Sequence, residues 1–198
     1  MGVEFEIKFR TIPEKIRQID KDIEADTQVF SMETTYYDTS DGALAARRYT
    51  LRRRMENDLS VCTLKTPAEH GSRQEYEVKE DTIEAALPVL CKLYYDADLP
   101  QILKKGIAPL CGAQFTRIAK KVSFGGSVLE LALDKGILTG GGKEIPLCEV
   151  EVELKEGSRE EALAYAALLA ETYDLTQETK SKFKRARDLA RGEYNGRF

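Results

Sequence analysis

The sequence predicts an α+β fold, namely an eight-stranded antiparallel closed β-barrel, or tunnel, with a charged lumen and a cladding of α-helices. Charged and apolar residues alternate in several segments, short turn-rich connections separate these segments, and stretches with helical periodicity lie between some of them. Because successive side chains of a strand point to opposite faces, each such strand has one charged and one apolar face. Unpaired buried charge is costly, so the charged faces are expected to line a wet interior. A closed barrel of eight strands can hold one small ligand.

Eight segments have the alternation or the composition of strands, and turns join most of them. Residues 38–42 and 56–58 are rich in turn-forming residues, and residues 125–127 read Gly-Gly-Ser, which is typical of a tight hairpin. Such short connections make most neighbouring strands antiparallel. The predicted strands cover residues 3–10, 28–37, 48–56, 59–66, 72–79, 114–124, 127–135 and 146–155.

Helical segments are expected between the first two strands, between the fifth and sixth, and after the eighth. Thr11 with Glu14, and Ser158 with Glu161, have the spacing of a capping box at a helix start. The apolar residues that follow each pair recur at helical spacing, so both helices can cover an apolar sheet face. The predicted helices cover residues 11–25, 81–105 with breaks at Pro88 and Pro100, 158–171 and 179–191.

Composition limits the classes of function. The 198 residues suit one large domain, which we expect to span residues 1–198. Charged residues make up 32% of the chain, yet the net charge is only −4, which does not indicate a nucleic-acid partner. No signal peptide or apolar run of transmembrane length is present, so we expect a soluble, cytoplasmic protein without a membrane partner. The four cysteines lack CxxC spacing, and the single His70 cannot form a catalytic triad or a zinc site alone.

The charged positions at strand spacing form acidic faces and basic faces. The acidic positions are Glu4, Glu6, Glu130, Asp134, Glu149, Glu151 and Glu153. The basic positions are Lys8, Arg52, Arg54, Lys65, Arg73, Arg117 and Lys121. Like charges directly across a sheet destabilise it, so faces of this kind need counter-ions. Carboxylates bind a hard divalent cation through oxygen, and clustered cations bind a phosphate. The pattern therefore indicates a site for a metal ion and a phosphorylated anion.

Five motifs resemble, in order, those of the CYTH superfamily, the triphosphate tunnel metalloenzymes. They are ExExK at residues 4–8, a YxDT-like turn at 37–39 with Leu44, LRxR at 51–54, ALDxG at 132–136 and ExExE at 149–153. The resemblance covers nearly the whole chain, and the subgroup that the chain resembles most is the bacterial inorganic triphosphatases. In that subgroup a helical CHAD domain often follows the tunnel, so such a domain in cis is an expected partner in a longer parent protein. The oligomeric state is not predicted.

The resemblance implies hydrolysis of a triphosphate inside the tunnel with Mg²⁺ or Mn²⁺ as cofactor. The implied metal ligands are Glu4, Glu6, Glu149, Glu151 and Glu153. The implied phosphate ligands are Lys8, Arg52, Arg54, Lys65, Arg73, Arg117 and Lys121. Lys8, Glu151 and Asp134 are the expected catalytic residues, and either carboxylate could orient the attacking water. The chain departs from related tunnels at Ala119, where another cation is often found.

Several functions remain open on the sequence alone. Inorganic tripolyphosphate is the leading substrate, but the same scaffold in other members hydrolyses thiamine triphosphate or nucleoside triphosphates, or cyclises ATP as a class IV-type adenylate cyclase does. A nucleoside needs an aromatic platform, for which Tyr36, Tyr37 and Tyr49 are candidates. In another class, the chain would be a non-catalytic module that binds polyphosphate. The acidic positions argue against that reading, because capture of an anion requires only the cations.

Overall fold

A computed structural model describes residues 5–68 and 73–196, so that Glu4 and His70 lie outside the described residues. The described chain forms one curved antiparallel sheet with helices on both faces. The strands are β1 Glu6–Arg10, β2 Asp26–Asp38, β3 Thr50–Glu56, β4 Leu59–Pro67, β5 Arg73–Val78, β6 Ala108–Phe124, β7 Ser127–Gly140, β8 Lys143–Glu156 and β9 Thr176–Gln177. The helices are α1 Pro13–Asp22, α2 Ala43–Ala46, α3 Ile83–Leu93, α4 Leu99–Leu103, α5 Arg159–Tyr173 and α6 Lys182–Ala190.

The sheet has nine strands and is not closed, so the prediction of an eight-stranded closed barrel is wrong in both respects. The strand order is β5-β4-β3-β2-β6-β7-β8-β1-β9, which leaves β5 and β9 as the two edges. Strand β9 was not predicted because its two residues carry no periodic pattern, yet it pairs with Phe9 and Arg10 of β1. Closure requires the edge strands to meet with matching tilt and stagger, and these edges do not pair.

Most predicted elements are present, with differences at their ends. All eight predicted strands exist, and β6 and β7 extend well beyond their predicted ranges. Pro88 lies inside α3 and does not break it. The break comes at residues 94–98, and Pro100 is the second residue of α4. The capping box expected at Thr11 does not form, because Ile12 is the N-cap residue of α1. At α5 the Ser158 hydroxyl does accept a hydrogen bond from the amide of Glu161.

The two faces of the sheet have opposite character, as the alternation predicted. The convex face is apolar and carries most of the helices. Helices α1 and α5 cover β1, β7 and β8 through a core that includes Phe9, Leu131 and Val152. Around β3, β4 and β5, the helices α2, α3 and α4 complete a second core that contains Leu51 and Leu64. The concave face carries the charged side chains and surrounds a cavity.

Helix α6 lies on the concave face, not on the exterior where helices were expected. Its residues Phe183, Ala186 and Leu189 share a core cluster with the sheet residues Tyr36 and Leu138. The helix backbone comes close to the sheet because β7 ends in a glycine: a Cβ on Gly140 would stand 2.5 Å from the carbonyl oxygen of Ala186. Helix α6 therefore closes off one side of the concave face and brings its own N-terminus to the cavity.

Two further sequence expectations concern the thiols and the membrane. Cys62, Cys91, Cys111 and Cys148 are all free, which agrees with the absence of a disulfide framework. Among the described helices, none has both the length and the apolar composition that a membrane span requires.

Candidate functional site

The concave face encloses a cavity of about 1090 Å³ that receives side chains from eight strands, from Arg159 at the start of α5 and from residues 179–184 at the start of α6. Among the described residues its lining contains eleven cationic side chains and seven carboxylates, an excess of positive charge. The cations are Lys8, Arg52, Arg54, Lys65, Arg73, Arg117, Lys155, Arg159, Lys180, Lys182 and Lys184. The carboxylates are Glu6, Glu56, Glu75, Glu77, Glu130, Glu151 and Glu153.

Strands β1, β7 and β8 form the acidic wall of the cavity. Register pairs Glu153 with Glu6 on one side and with Glu130 on the other, so three carboxylates stand side by side on adjacent strands. We call Glu6, Glu130 and Glu153 the outer triplet; their side chains are between 22% and 34% exposed. Deeper along the same strands, Asp134, Glu149 and Glu151 form what we call the inner cluster.

The inner cluster is buried, and protein cations contact every member of it. One oxygen from each of its three carboxylates lies within 4.8 Å of the other two, a grouping that could hold a metal ion. The Nζ atom of Lys182 is 2.8 Å from Asp134, 2.5 Å from Glu149 and 2.7 Å from Glu151. Arg117 donates two hydrogen bonds of 2.8 and 2.7 Å to Asp134 and a third, of 2.5 Å, to Glu151.

Glu149 has a second cationic partner besides Lys182. Arg185, one turn further along α6, forms an ion pair with it. The inner cluster thus holds three carboxylates against three protein cations, Lys182, Arg117 and Arg185. Its formal charge is balanced without a bound ion.

These contacts perturb the ionisation of the groups involved. Burial acts against the charged form of Glu151, but Lys182 and Arg117 outweigh it, so the pKa of Glu151 lies well below its usual value. For Glu149 burial prevails over its cationic partners, and its pKa is raised. Burial would lower the pKa of Lys182, but Asp134, Glu149 and Glu151 raise it well above the usual value. Lys182 is therefore a permanent cation of this cluster near neutral pH.

The outer triplet is more exposed than the inner cluster and also has cationic contacts. Lys8 donates a 2.8 Å hydrogen bond to Glu6. Lys155 lies 2.8 Å from Glu153 and 3.5 Å from Glu130, so one ammonium serves two carboxylates. Clustered, partly exposed carboxylates of this kind offer the oxygen donors that Mg²⁺ and Mn²⁺ prefer. The residues present therefore fit a hard divalent cation.

Strands β3, β4 and β5 form the basic wall, which faces the same cavity. Arg52 is 3.8 Å from Glu77, and Arg54 pairs with Glu56. The Nε atoms of both arginines are buried and have no hydrogen-bond partner in the described part of the chain. Burial and the neighbouring Arg52 both lower the pKa of Arg54. Two adjacent guanidinium groups with unfilled donors are arranged for an anion with several oxygen atoms.

Two further cations of the basic wall have protein partners. The Lys65 ammonium pairs with Glu75 on the neighbouring strand. The guanidinium of Arg73 donates a 2.8 Å bond to the carbonyl oxygen of Arg48 and a 3.0 Å bond to the Thr50 hydroxyl. Both side chains line the cavity.

The structure brings most of the predicted site residues to one cavity, with four exceptions. Lys121 is exposed near the end of β6 and does not line the cavity. Asp134 and Glu149 are fully buried behind the cavity surface in the inner cluster, and Glu4 lies outside the described residues. Ala119, where an expected cation is missing, lines the cavity and lies in register with Ala132, which in turn pairs with Glu151.

Sequence reasoning missed the contribution of α6. Lys180, Lys182 and Lys184 line the cavity, and Arg185 reaches Glu149 from the same helix. The segment was recognised only as a basic helix at the end of the chain. The alternation of Lys180, Lys182 and Lys184 was a signal of a charged face, but nothing in the sequence placed that face on the concave side of the sheet.

The curved antiparallel sheet and its flanking helices thus enclose a tunnel-like cavity. The basic wall of this cavity suits an anion, and its acidic wall suits a metal ion. The model of the CYTH domain family matches residues 2–186, and the chain therefore belongs to this family. An inorganic triphosphatase of Haemophilus influenzae is 32% identical over 155 residues, which are 76% of this chain and 44% of that protein. The chain thus spans less than half the length of this curated relative.

Solved structures share the fold at low sequence identity. A Hippeastrum protein described as having a dominant triphosphatase activity superposes with a TM-score of 0.62 at 16% identity, covering 97% of this chain and 96% of its own. A candidate adenylate cyclase from Bacillus halodurans superposes with a TM-score of 0.59 at 17% identity, covering 93% and 97%. At these identities the superpositions support the fold and do not choose between the two activities.

Proposed function

We propose that this chain hydrolyses inorganic tripolyphosphate to diphosphate and phosphate with the help of Mg²⁺ or Mn²⁺. The observation that carries the proposal is that Arg52 and Arg54 line the same cavity as the acidic wall, and that their buried Nε donors have no hydrogen-bond partner among residues 5–68 and 73–196. A linear anion with three phosphoryl groups could contact both walls at once. The family membership and the Haemophilus influenzae triphosphatase support the same reaction class.

Each wall has a distinct part in the proposed reaction. Arg52, Arg54, Lys65 and Arg73 would bind the phosphoryl groups that become the leaving diphosphate. Their contribution is mainly positioning and neutralisation of charge. The planar guanidinium of Arg54 can donate two parallel hydrogen bonds to one phosphoryl group, which a lysine ammonium cannot do.

The reacting phosphoryl group would lie at the acidic wall. Lys8, which is in register with Glu151, would neutralise its oxygens, and the ionised Glu151 would accept a hydrogen bond from the attacking water and orient it. The carboxylates of the acidic wall would hold the divalent cation. When bound, such a cation neutralises developing charge on phosphoryl oxygens and increases the acidity of nearby water. The water oxygen forms the new P–O bond, the P–O bond to the diphosphate breaks, and the proton that the water loses passes to the released phosphates or to solvent.

The surroundings of the tyrosines favour an inorganic substrate over a nucleotide. Tyr36 is buried and packs against Phe183 in a tilted arrangement, at a centroid distance of 5.0 Å. Tyr49 belongs to the second core, around β3, β4 and β5, and donates a 2.6 Å hydrogen bond to Asp96. Tyr37 packs against that same cluster. None of these three side chains offers a free ring to a base at the cavity mouth, whereas the charged lining suits the three phosphoryl groups alone.

Phosphate release measured on tripolyphosphate, ATP and thiamine triphosphate, each with Mg²⁺ and with Mn²⁺, tests the proposal. We expect the largest kcat/KM with tripolyphosphate and no release after chelation of the metal. A larger kcat/KM for either organic triphosphate would contradict the substrate assignment. Tight binding of tripolyphosphate by calorimetry without phosphate release under any of these conditions would mean that the chain is a binding module.

A further inference from the structure

Lys182 occupies the position in the inner cluster that a metal ion would take. Its Nζ atom contacts one oxygen of each of Asp134, Glu149 and Glu151 at 2.5–2.8 Å, and these are the three residues whose carboxylates lie close enough together to hold a metal ion. Its side chain is only 11% exposed, so the ammonium is largely withdrawn from solvent. A buried ammonium surrounded by three carboxylates has replaced its hydration shell with protein oxygens.

The charge of the inner cluster also argues against a metal ion at that place. In the inner cluster, three carboxylates face three protein cations, so a dication added there would leave an excess of positive charge in a buried place. In the outer triplet, Lys8 contacts Glu6 and Lys155 contacts Glu153 and Glu130, and all three carboxylates are partly exposed. Coulomb energies are larger in the interior than at the surface, so the inner cluster opposes a further cation more strongly.

We infer that Lys182 is the resident cation of the inner cluster, that divalent metal binds instead at the outer triplet, and that Lys182 acts as a positioning residue for Glu151. The role assigned to Glu151 rests on the proposed function. The assignment of the cation does not, because it concerns binding alone. In physical terms α6 supplies an ammonium, fixed to the chain, that holds the Glu151 carboxylate in place before metal or substrate binds, so no free ion has to enter a buried site.

The first experiment replaces the ammonium by a neutral side chain of similar length, Lys182→Met. Without metal we expect a lower melting temperature, because three buried carboxylates lose their shared partner. With Mn²⁺ we expect recovery of most of that loss and the binding of one further Mn²⁺ per chain by electron paramagnetic resonance of the free ion. Lys184→Met, on the same helix, is the matched control: its partner Asp188 keeps a contact with Lys180, so we expect a smaller loss of melting temperature and no additional Mn²⁺ bound. A Lys182→Met protein that melts lower but is not rescued by Mn²⁺ would overturn the inference.

A second pair of variants decides the question even if Lys182→Met does not fold. Glu153→Gln in the outer triplet should weaken Mn²⁺ binding at least tenfold, while Glu149→Gln in the inner cluster should change it by less than twofold. If Glu149→Gln weakens Mn²⁺ binding as much as Glu153→Gln does, metal enters the inner cluster and the inference is wrong. These readouts need no turnover, so a wild-type protein that fails to hydrolyse any triphosphate would reject the proposed function and leave the cation assignment to be judged separately.

Discussion

The inner cluster and the basic wall are both dense groups of like charges, but the chain treats them differently. Asp134, Glu149 and Glu151 each contact two cationic side chains of the same chain. Arg52 and Arg54 each contact one carboxylate at the cavity surface and keep a buried donor without a partner in the described residues. The inner cluster is therefore neutralised by ion pairs within the folded chain, whereas the basic wall keeps hydrogen-bond donors available for a ligand. Removing a cation that pairs with the inner cluster should therefore change mainly stability, and removing a cation of the basic wall should change mainly binding.

The largest effect that tests this contrast is expected from Arg117→Met. The guanidinium of Arg117 joins Asp134 and Glu151, so its loss leaves buried carboxylates short of a partner and should destabilise the protein by about 3–5 kcal/mol. Urea unfolding followed by circular dichroism measures the change. Arg53→Met is the control, because Arg53 is on the opposite face of β3 and bonds only Ser60 and Met55 in the described structure; it should cost less than about 1 kcal/mol.

The next largest effect is expected from Glu151→Gln, which tests whether the inner cluster also reaches the reaction. Losing a preorganised charged group that acts in the transition state lowers kcat by about a hundredfold or more. We expect this loss with tripolyphosphate, while calorimetric binding of the anion without metal stays close to that of the wild type. A kcat within a few-fold of the wild-type value would remove Glu151 from the reaction and leave it a purely structural role.

Arg54→Ala tests the contrast between the inner cluster and the basic wall from the side of the basic wall. A charge-assisted hydrogen bond contributes about 1.5–3 kcal/mol, so we expect KM for tripolyphosphate to rise roughly tenfold or more, with a smaller change in kcat. The melting temperature without ligand should fall little, because removing Arg54 also relieves its repulsion with Arg52. If the free protein is instead strongly destabilised, the basic wall is as complete as the inner cluster and the comparison fails.

The smallest effect concerns acid stability. Because the pKa of Glu151 is lowered in the folded protein, its contribution to stability is present above the unfolded value of about 4.3 and is lost as pH falls towards the folded value. Glu149, with a raised pKa, acts in the opposite direction near that pH. We expect Glu151→Gln to flatten the loss of unfolding free energy below about pH 4. Glu14→Gln, which removes an exposed partner of Arg17, is the control and should flatten it less.

Alternation of charged and apolar residues was sufficient to predict much of the fold. It gave the eight longer strands, the apolar face under the helices and the charged concave face, because a strand's two faces follow directly from its sequence. The lengths of β6 and β7 were underestimated. The start of β6 and the end of β7 pack on α6, and their sequences are apolar or mixed. The unpredicted β9 is two residues long, and its pairing depends on where β1 already lies.

The residues of the site, like the elements of the fold, were predictable only where local alternation determines them. The sequence by itself determined which carboxylates and which cations share a strand face, and it therefore predicted Glu6, Arg52, Arg54, Arg117 and Glu151 as residues of one site. Only the tertiary structure decided that the sheet stays open and that α6 enters its concave side. That placement depends on long-range packing of Phe183 and Leu189 and on the close approach at Gly140, which no local pattern encodes. Contacts between Lys182 and the inner cluster join residues more than thirty positions apart, since Lys182 and Glu151 are separated by 31. Electrostatic pairing at such separation is a property of the folded chain.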